Sequence, residues 1–151
     1  ANLIGARGGG LVRVSARHSM RVDGTIGADG MRRLENGYGG ASGGGIMLTA
    51  GSFKGTGTLS AKGGDAHNTA GAGGGGRIAV WTPFMPYATV QAMAAEDALP
   101  AGASEVQPAD WPGWSGSILV DSGTGGENPD LAQDGTLFFG RFVLGTTVLV
   151  R

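Results

Sequence analysis

The chain contains no cysteine, which excludes disulfides, thiolate metal sites and thiol catalysis together. Histidine is nearly as scarce. His18 and His67 stand alone, in no metal-ligand spacing with each other, and each falls in a polar stretch that reads as surface. No serine has a G-x-S-x-G context, so nucleophilic catalysis has no motif behind it. Long apolar runs are also missing: stretches such as Phe142 to Val150 are short and broken by Gly145 and two threonines, which rules out a membrane-spanning helix there. Aromatic residues make up only 7%. They are not interleaved with Arg7, Arg13, Arg17, Arg21, Arg32 and Arg33 in the way that base stacking needs, so nucleic acid is not an expected partner.

Each half of the chain is short of charge of one sign. Residues 1–77 hold nine Lys or Arg against four acids, and residues 78–151 hold two against eight, so the halves carry +5 and −6 and sum to the net −1. A polar chain of this kind can present two differently solvated faces, or associate head to tail.

Glycine is what the chain has in excess, 32 of 151 residues, about three times ordinary usage. Leu, Ile, Val and Phe total 31, just above the roughly one-fifth level below which a chain seldom makes a core. The glycines are organised. Gly8-Gly9-Gly10, Gly43-Gly44-Gly45 and Gly74-Gly75-Gly76 each lead into an alternating apolar segment, in which Val12, Ile46 and Ile78 correspond, as do Val14, Leu48 and Val80. A second marker, small-Thr-aliphatic, recurs at Gly24-Thr25-Ile26, Gly57-Thr58-Leu59, Ala88-Thr89-Val90 and Gly135-Thr136-Leu137. Both markers report a period near 33 residues.

Period-two alternation with β-branched residues predicts strands with one buried face. A unit of two short strands and glycine-rich turns cannot enclose a core alone, so units must stack. The expected fold is therefore all-β, a right-handed parallel β-helix (β-solenoid) of about four irregular coils, forming one domain over residues 1–151. Gly116-Ser117-Ile118-Leu119-Val120 reads as the fourth copy of the first strand, displaced by an insertion at residues 92–115. The expected ladders are Val12, Ile46, Ile78, Ile118 and Ile26, Leu59, Val90, Leu137. A stack of polyglycine II helices would need the same composition but longer glycine runs than the four residues Gly73 to Gly76.

The glycine triplets, the Ile-x-Ile/Val strands and the Gly-x-Ile/Leu-x-Ala-x-Gly strands resemble the glycine-rich repeats of bacterial surface proteins, adhesin-like or autotransporter-passenger-like. The resemblance covers residues 3–90 well and 113–150 loosely. It implies an extracellular or cell-surface location and a structural or adhesive role rather than an enzymatic one.

Leu3-Ile4-Gly5-Ala6 repeats Thr25-Ile26-Gly27-Ala28 without its leading strand, and Gly145 to Val150 reads as another strand start. An assembly interface is therefore expected at Leu3, Ile4 and Arg7 and at Gly145, Thr146, Thr147, Val148, Leu149, Val150 and Arg151. The partner would be a second copy, head to tail, or adjacent repeats of a longer protein. Trp81, Tyr87, Trp111 and Trp114 are the candidates for contact with a glycan or a protein neighbour. They underlie the alternative reading, a carbohydrate-binding or polysaccharide-cleaving aromatic face. Asp121, Glu127, Asp130 and Asp134 lie on or near a loop long enough to wrap calcium, though in neither EF-hand nor nonapeptide spacing. No other cofactor or metal is expected.

Overall fold

The computed structural model describes residues 5–32, 38–67, 70–85, 103–126 and 131–142. The strands are β1 (Leu11–Arg21), β2 (Thr25–Gly27), β3 (Gly45–Lys54), β4 (Thr58–Ser60), β5 (Arg77–Thr82), β6 (Ala103–Glu105), β7 (Ser117–Leu119) and β8 (Thr136–Phe142), with a 3-10 turn at Pro108–Asp110. They form a five-stranded sheet in the order β1-β3-β5-β8-β6 and a three-stranded sheet in the order β2-β4-β7.

The alternating segments pair in parallel, side by side. Val12 lies opposite Ile46 and Ile46 opposite Ile78, while Val14, Leu48 and Val80 form the next rung but one. In the smaller sheet Ile26 lies opposite Leu59. These side chains meet between the two sheets, where Ile46, Leu48, Leu59, Ile78, Val80 and Phe139 are almost wholly buried. Each such burial contributes roughly 1.5–3 kcal/mol.

Past Thr82 the arrangement departs from the expected coils. Leu137, not Ile118, continues the first ladder opposite Ile78. Ile118 in turn stands opposite Leu59 in the smaller sheet, where Val90 was expected; Val90 itself lies outside the described residues. The insertion thus falls between β5 and β7, within the third unit rather than after it, and every later strand changes sheet relative to the expectation. The large sheet then ends on an antiparallel strand: β6 pairs with β8 through Ala103 opposite Phe142 and Glu105 opposite Gly140. The expected right-handed parallel β-helix of about four coils is corrected accordingly. The fold is a two-sheet, strand-rich structure of mixed parallel and antiparallel strands with one short 3-10 turn. The physical reason is that part of the insertion occupies a sheet edge that a further parallel coil would have needed. Among the described residues no helix is long and apolar enough to cross a membrane.

Candidate interface and the groove under the insertion

The turns that feed the large sheet are joined backbone to backbone. Gly9, Gly43 and Gly75 donate to the carbonyls of Ser42, Gly74 and Gln133, each at 2.9 Å. Gly44, Gly76 and Gly135 donate to Ala28, Ala61 and Val120, each at 2.7 Å. Chains bonded this closely in two directions leave no room for side chains. A Cβ on Gly44, Gly76 or Gly135 would stand 2.0, 2.1 or 1.8 Å from the carbonyl oxygen of Gly10, Gly44 or Gly76 in the preceding unit. Glycine is required there by close approach.

Gly10 occupies the same place in the first unit, and a Cβ there would meet nothing within 4 Å. It leads into β1, the 11-residue edge strand of the large sheet. The side-chain ladder ends the same way. Leu48, Val80 and Phe139 are 0, 0 and 1% exposed, whereas Val14 on the same rung is 40% exposed and Leu11 beside it 75%. The charged or titratable side chains of β1 are Arg13, Arg17, His18 and Arg21, all exposed; Arg21 pairs with Asp23. The opposite edge has β6 against Gly140–Phe142, and exposed Glu105, Asp121 and Asp134 lie on or near it. Exposed Arg141 on β8, opposite Ser104, stands on the same edge, so the charges there are mixed.

Four aspartates tie neighbouring units together. Asp65 Oδ1 accepts from the Thr124 N–H at 2.8 Å and from its hydroxyl at 2.9 Å. Asp134 Oδ1 accepts from the Ser122 N–H at 2.7 Å and from its hydroxyl at 3.0 Å. Asp23 takes the N–H and hydroxyl of Thr56 at 3.2 and 3.4 Å, and Asp29 takes the Ser60 hydroxyl and the Lys62 N–H at 2.6 and 2.7 Å. Donors aimed at the ionised form hold three of these carboxyls below the usual carboxylate range. The causes are chiefly the Thr124 N–H for Asp65, the Ser122 N–H for Asp134, and Arg21 followed by Thr56 for Asp23. Asp134, expected as a calcium ligand, is thus engaged by Ser122, and Asp121 is exposed. Glu127 and Asp130 lie outside the described residues. Among the described residues no three His, Cys, Asp or Glu side chains converge as a metal site.

The three described tryptophans are buried. Trp111 and Trp114 are each 5% exposed and Trp81 is 8% exposed. Trp111 donates its Nε1–H to the Phe53 carbonyl at 3.2 Å and meets Phe139 edge to face, with ring centroids 5.1 Å apart. Trp114 packs on Phe53 at 4.8 Å, and its buried Nε1 has no acceptor. Trp81 covers the outer face of the large sheet beside Phe138, at 4.6 Å, and Met85. The described part of the insertion, residues 103–115, thus folds back against the large sheet, leaving an open groove of about 300 Å³ lined by Ser52, Phe53, Thr82, Trp111 and Arg141 among others. Composition gives no signal for this groove, since its lining comes from four separate segments.

Of the expected interface, Arg7 is exposed and its carbonyl accepts from the Met31 N–H at 2.9 Å. Leu3, Ile4, Gly145, Thr146, Thr147, Val148, Leu149, Val150 and Arg151 lie outside the described residues, as does Tyr87. The open edge at Gly10, Leu11 and Val14 was absent from those expectations. No family model matches the chain, and neither the curated proteins nor the solved structures compared with it include a match.

Proposed function

We propose that this chain is a structural module of a larger, extracellular assembly, working through its strand edges rather than through a reaction centre. The observation that carries the reading is the open β1 edge. It is an 11-residue parallel strand with exposed apolar side chains and a glycine kept clear of any contact. Natural proteins cover, break up or use such edges. Here β6 covers Gly140–Phe142 of the far edge, whereas among the described residues nothing pairs with β1 on its outer side, which favours use. The extracellular placement rests on the resemblance of the repeats to those of bacterial surface proteins. The carbohydrate reading is less well supported, because the three described tryptophans offer buried rings rather than a stacking platform.

Sedimentation velocity with electron microscopy, at low and high salt, tests the proposal. Uniform oligomers or fibres at low salt are expected. A monomer at every concentration and salt would refute it.

A further inference from the structure

Resting on the reading of β1 as a working edge, we infer that its outer side docks a strand supplied by a different, acidic chain. The added strand runs parallel to β1 beside Leu11 to Ser15, enters through glycine opposite Gly10, and carries carboxylates where β1 is flanked by Arg7 and Arg17.

The backbone sets what can pair there. In the parallel ladder Gly45 donates to Gly10 at 3.0 Å and Arg77 to Gly44 at 2.8 Å, so the even-numbered residues of β1 turn their N–H and C=O groups toward β3. Leu11 and Ser15 turn theirs the other way, and among the described residues no strand lies on that side. A backbone also fits there. At Gly44 and Gly76, each of which has a preceding unit on this side, a Cβ would stand 2.0 and 2.1 Å from a carbonyl oxygen of that unit, whereas at Gly10 it would meet nothing within 4 Å. The side chains lack the same neighbour: Leu11 is 75% and Val14 40% exposed, while Leu48 and Val80 on the rung of Val14 are fully buried. β1 keeps one register with β3 through Ala16, which gives the added strand a regular edge along residues 11–15.

Charge selects the partner. Residues 5–32, the first unit, carry five arginines against two aspartates. Both aspartates are engaged within the molecule, Asp23 by Arg21 and Thr56 and Asp29 by Ser60 and Lys62. Arg7, before the strand, and Arg17, just past its regular part, are exposed, and among the described residues no carboxylate pairs with either. Carboxylates at the two ends of an incoming strand meet these guanidinium groups and hold it in register. The β1 edge of a second copy would bring arginines to arginines. A flexible polyanion would neutralise the arginines but leave Leu11 and Val14 in water. An alternating apolar strand with acidic flanks satisfies backbone, side chains and charge together.

The probe is an end-blocked, fluorescently labelled peptide, Glu-Gly-Gly-Gly-Thr-Ile-Thr-Val-Thr-Ala-Glu, whose Ile and Val fall opposite Val12 and Val14. Binding is read by fluorescence anisotropy at low and high salt. The peptide is expected to bind saturably, at least tenfold tighter than the same peptide with Lys in place of both Glu, with the gap narrowing at high salt and amide exchange slowing at Leu11 and Ser15. Gly10→Ala, which meets nothing in the free protein, is expected to weaken binding at least tenfold, and Gly71→Ala, equally unobstructed, to leave it unchanged. No binding at millimolar peptide, equal binding of the Lys peptide, or normal binding by Gly10→Ala refutes this docking, whether or not the protein sediments as an assembly. Self-association that Gly10→Ala abolishes, without peptide binding, also refutes it and gives the edge to a second copy. A protein that binds the peptide as described but stays monomeric throughout refutes the association of copies and leaves the docking in place.

Discussion

The backbone lattice makes Gly76→Ala the most informative single change, because Gly76 is squeezed from one side and bonded on two. Its added Cβ would stand 2.1 Å from the Gly44 oxygen and 2.9 Å from both the Gly44 nitrogen and the Gly43 carbonyl carbon. An ordinary carbon–oxygen contact needs more than an ångström beyond that first distance, so the third unit must move away from the second. Two bonds are stretched by the move, Gly76 N–H to Ala61 and Arg77 N–H to Gly44, now at 2.7 and 2.8 Å, while the Thr136 N–H to Gly76 contact on the other side, at 2.9 Å, is compressed. Each stretched bond contributes about 0.5–1.5 kcal/mol net, and the overpacking adds roughly 1–3 kcal/mol. Reduced freedom of the unfolded chain returns only about 0.4–1 kcal/mol. A loss of about 3 kcal/mol is expected, a large part of the roughly 5–15 kcal/mol that holds a domain together. The assay is urea unfolding followed by tryptophan fluorescence, under conditions where the protein is monomeric. Gly10→Ala is the matched control, since it makes the same change at the same repeat position in open space, and it should shift stability by less than about 0.5 kcal/mol. Equal stabilities for the two variants would refute the argument that close approach, and not composition, accounts for these glycines.

Three further outcomes follow from particular contacts. Trp111→Phe removes the N–H that meets the Phe53 carbonyl and should cost about 1–3 kcal/mol in urea unfolding, whereas Trp114→Phe deletes a buried N–H without an acceptor and should cost less than Trp111→Phe. The three lowered aspartates fix the sign of the acid response. Their folded values lie below the unfolded value of about 3.9, so their contribution is fully present above that pH and is lost as pH falls through the folded values. Stability measured from pH 6 down to pH 2 should therefore decline below about pH 4, and Asp65→Asn should flatten the decline; a flat wild-type profile would contradict the role given to these carboxylates. Gly140→Val would put side-chain atoms where the Trp81 and Phe138 rings already stand 2.5–2.6 Å from a Cβ. It should displace the indole and redden its emission, and an unchanged spectrum would show that this outer cluster is not packed as described.

The tryptophans illustrate how far local pattern reaches. Alternation along Arg77–Thr82 places Trp81 on the face opposite Val80, and that is where it lies, but its cover by Phe138 and Met85 comes from other segments. For Trp111 and Trp114, which sit in no periodic segment, nothing local distinguishes a ring folded onto the core from a ring offered to a ligand. The four aspartate ties were likewise invisible, because each joins residues 12 to 59 positions apart. An aspartate in a glycine-rich loop reads equally as solvated, capping or ion-binding. Tertiary placement of a serine or threonine hydroxyl decides among these.

What the sequence by itself determined is the repeat and its consequences. Two markers at one spacing place Val12 beside Ile46 and Ile78, and Ile26 beside Leu59, because alternation and glycine position together leave a single register that buries the apolar face. What only the tertiary structure decided is everything after the insertion. A segment such as Gly-Ser-Ile-Leu-Val is too short to distinguish the two strand types. Thus Ile118 joins the smaller sheet and Leu137 the larger by hydrogen-bond register with strands already in place. The same holds for the edges. Ala103–Glu105 carries no strand signal of its own and becomes β6 because β8 offers unpaired backbone groups. β1 stays open because, among the described residues, nothing pairs on its other side. Edge and centre differ only in their neighbours, and neighbours are a property of the fold.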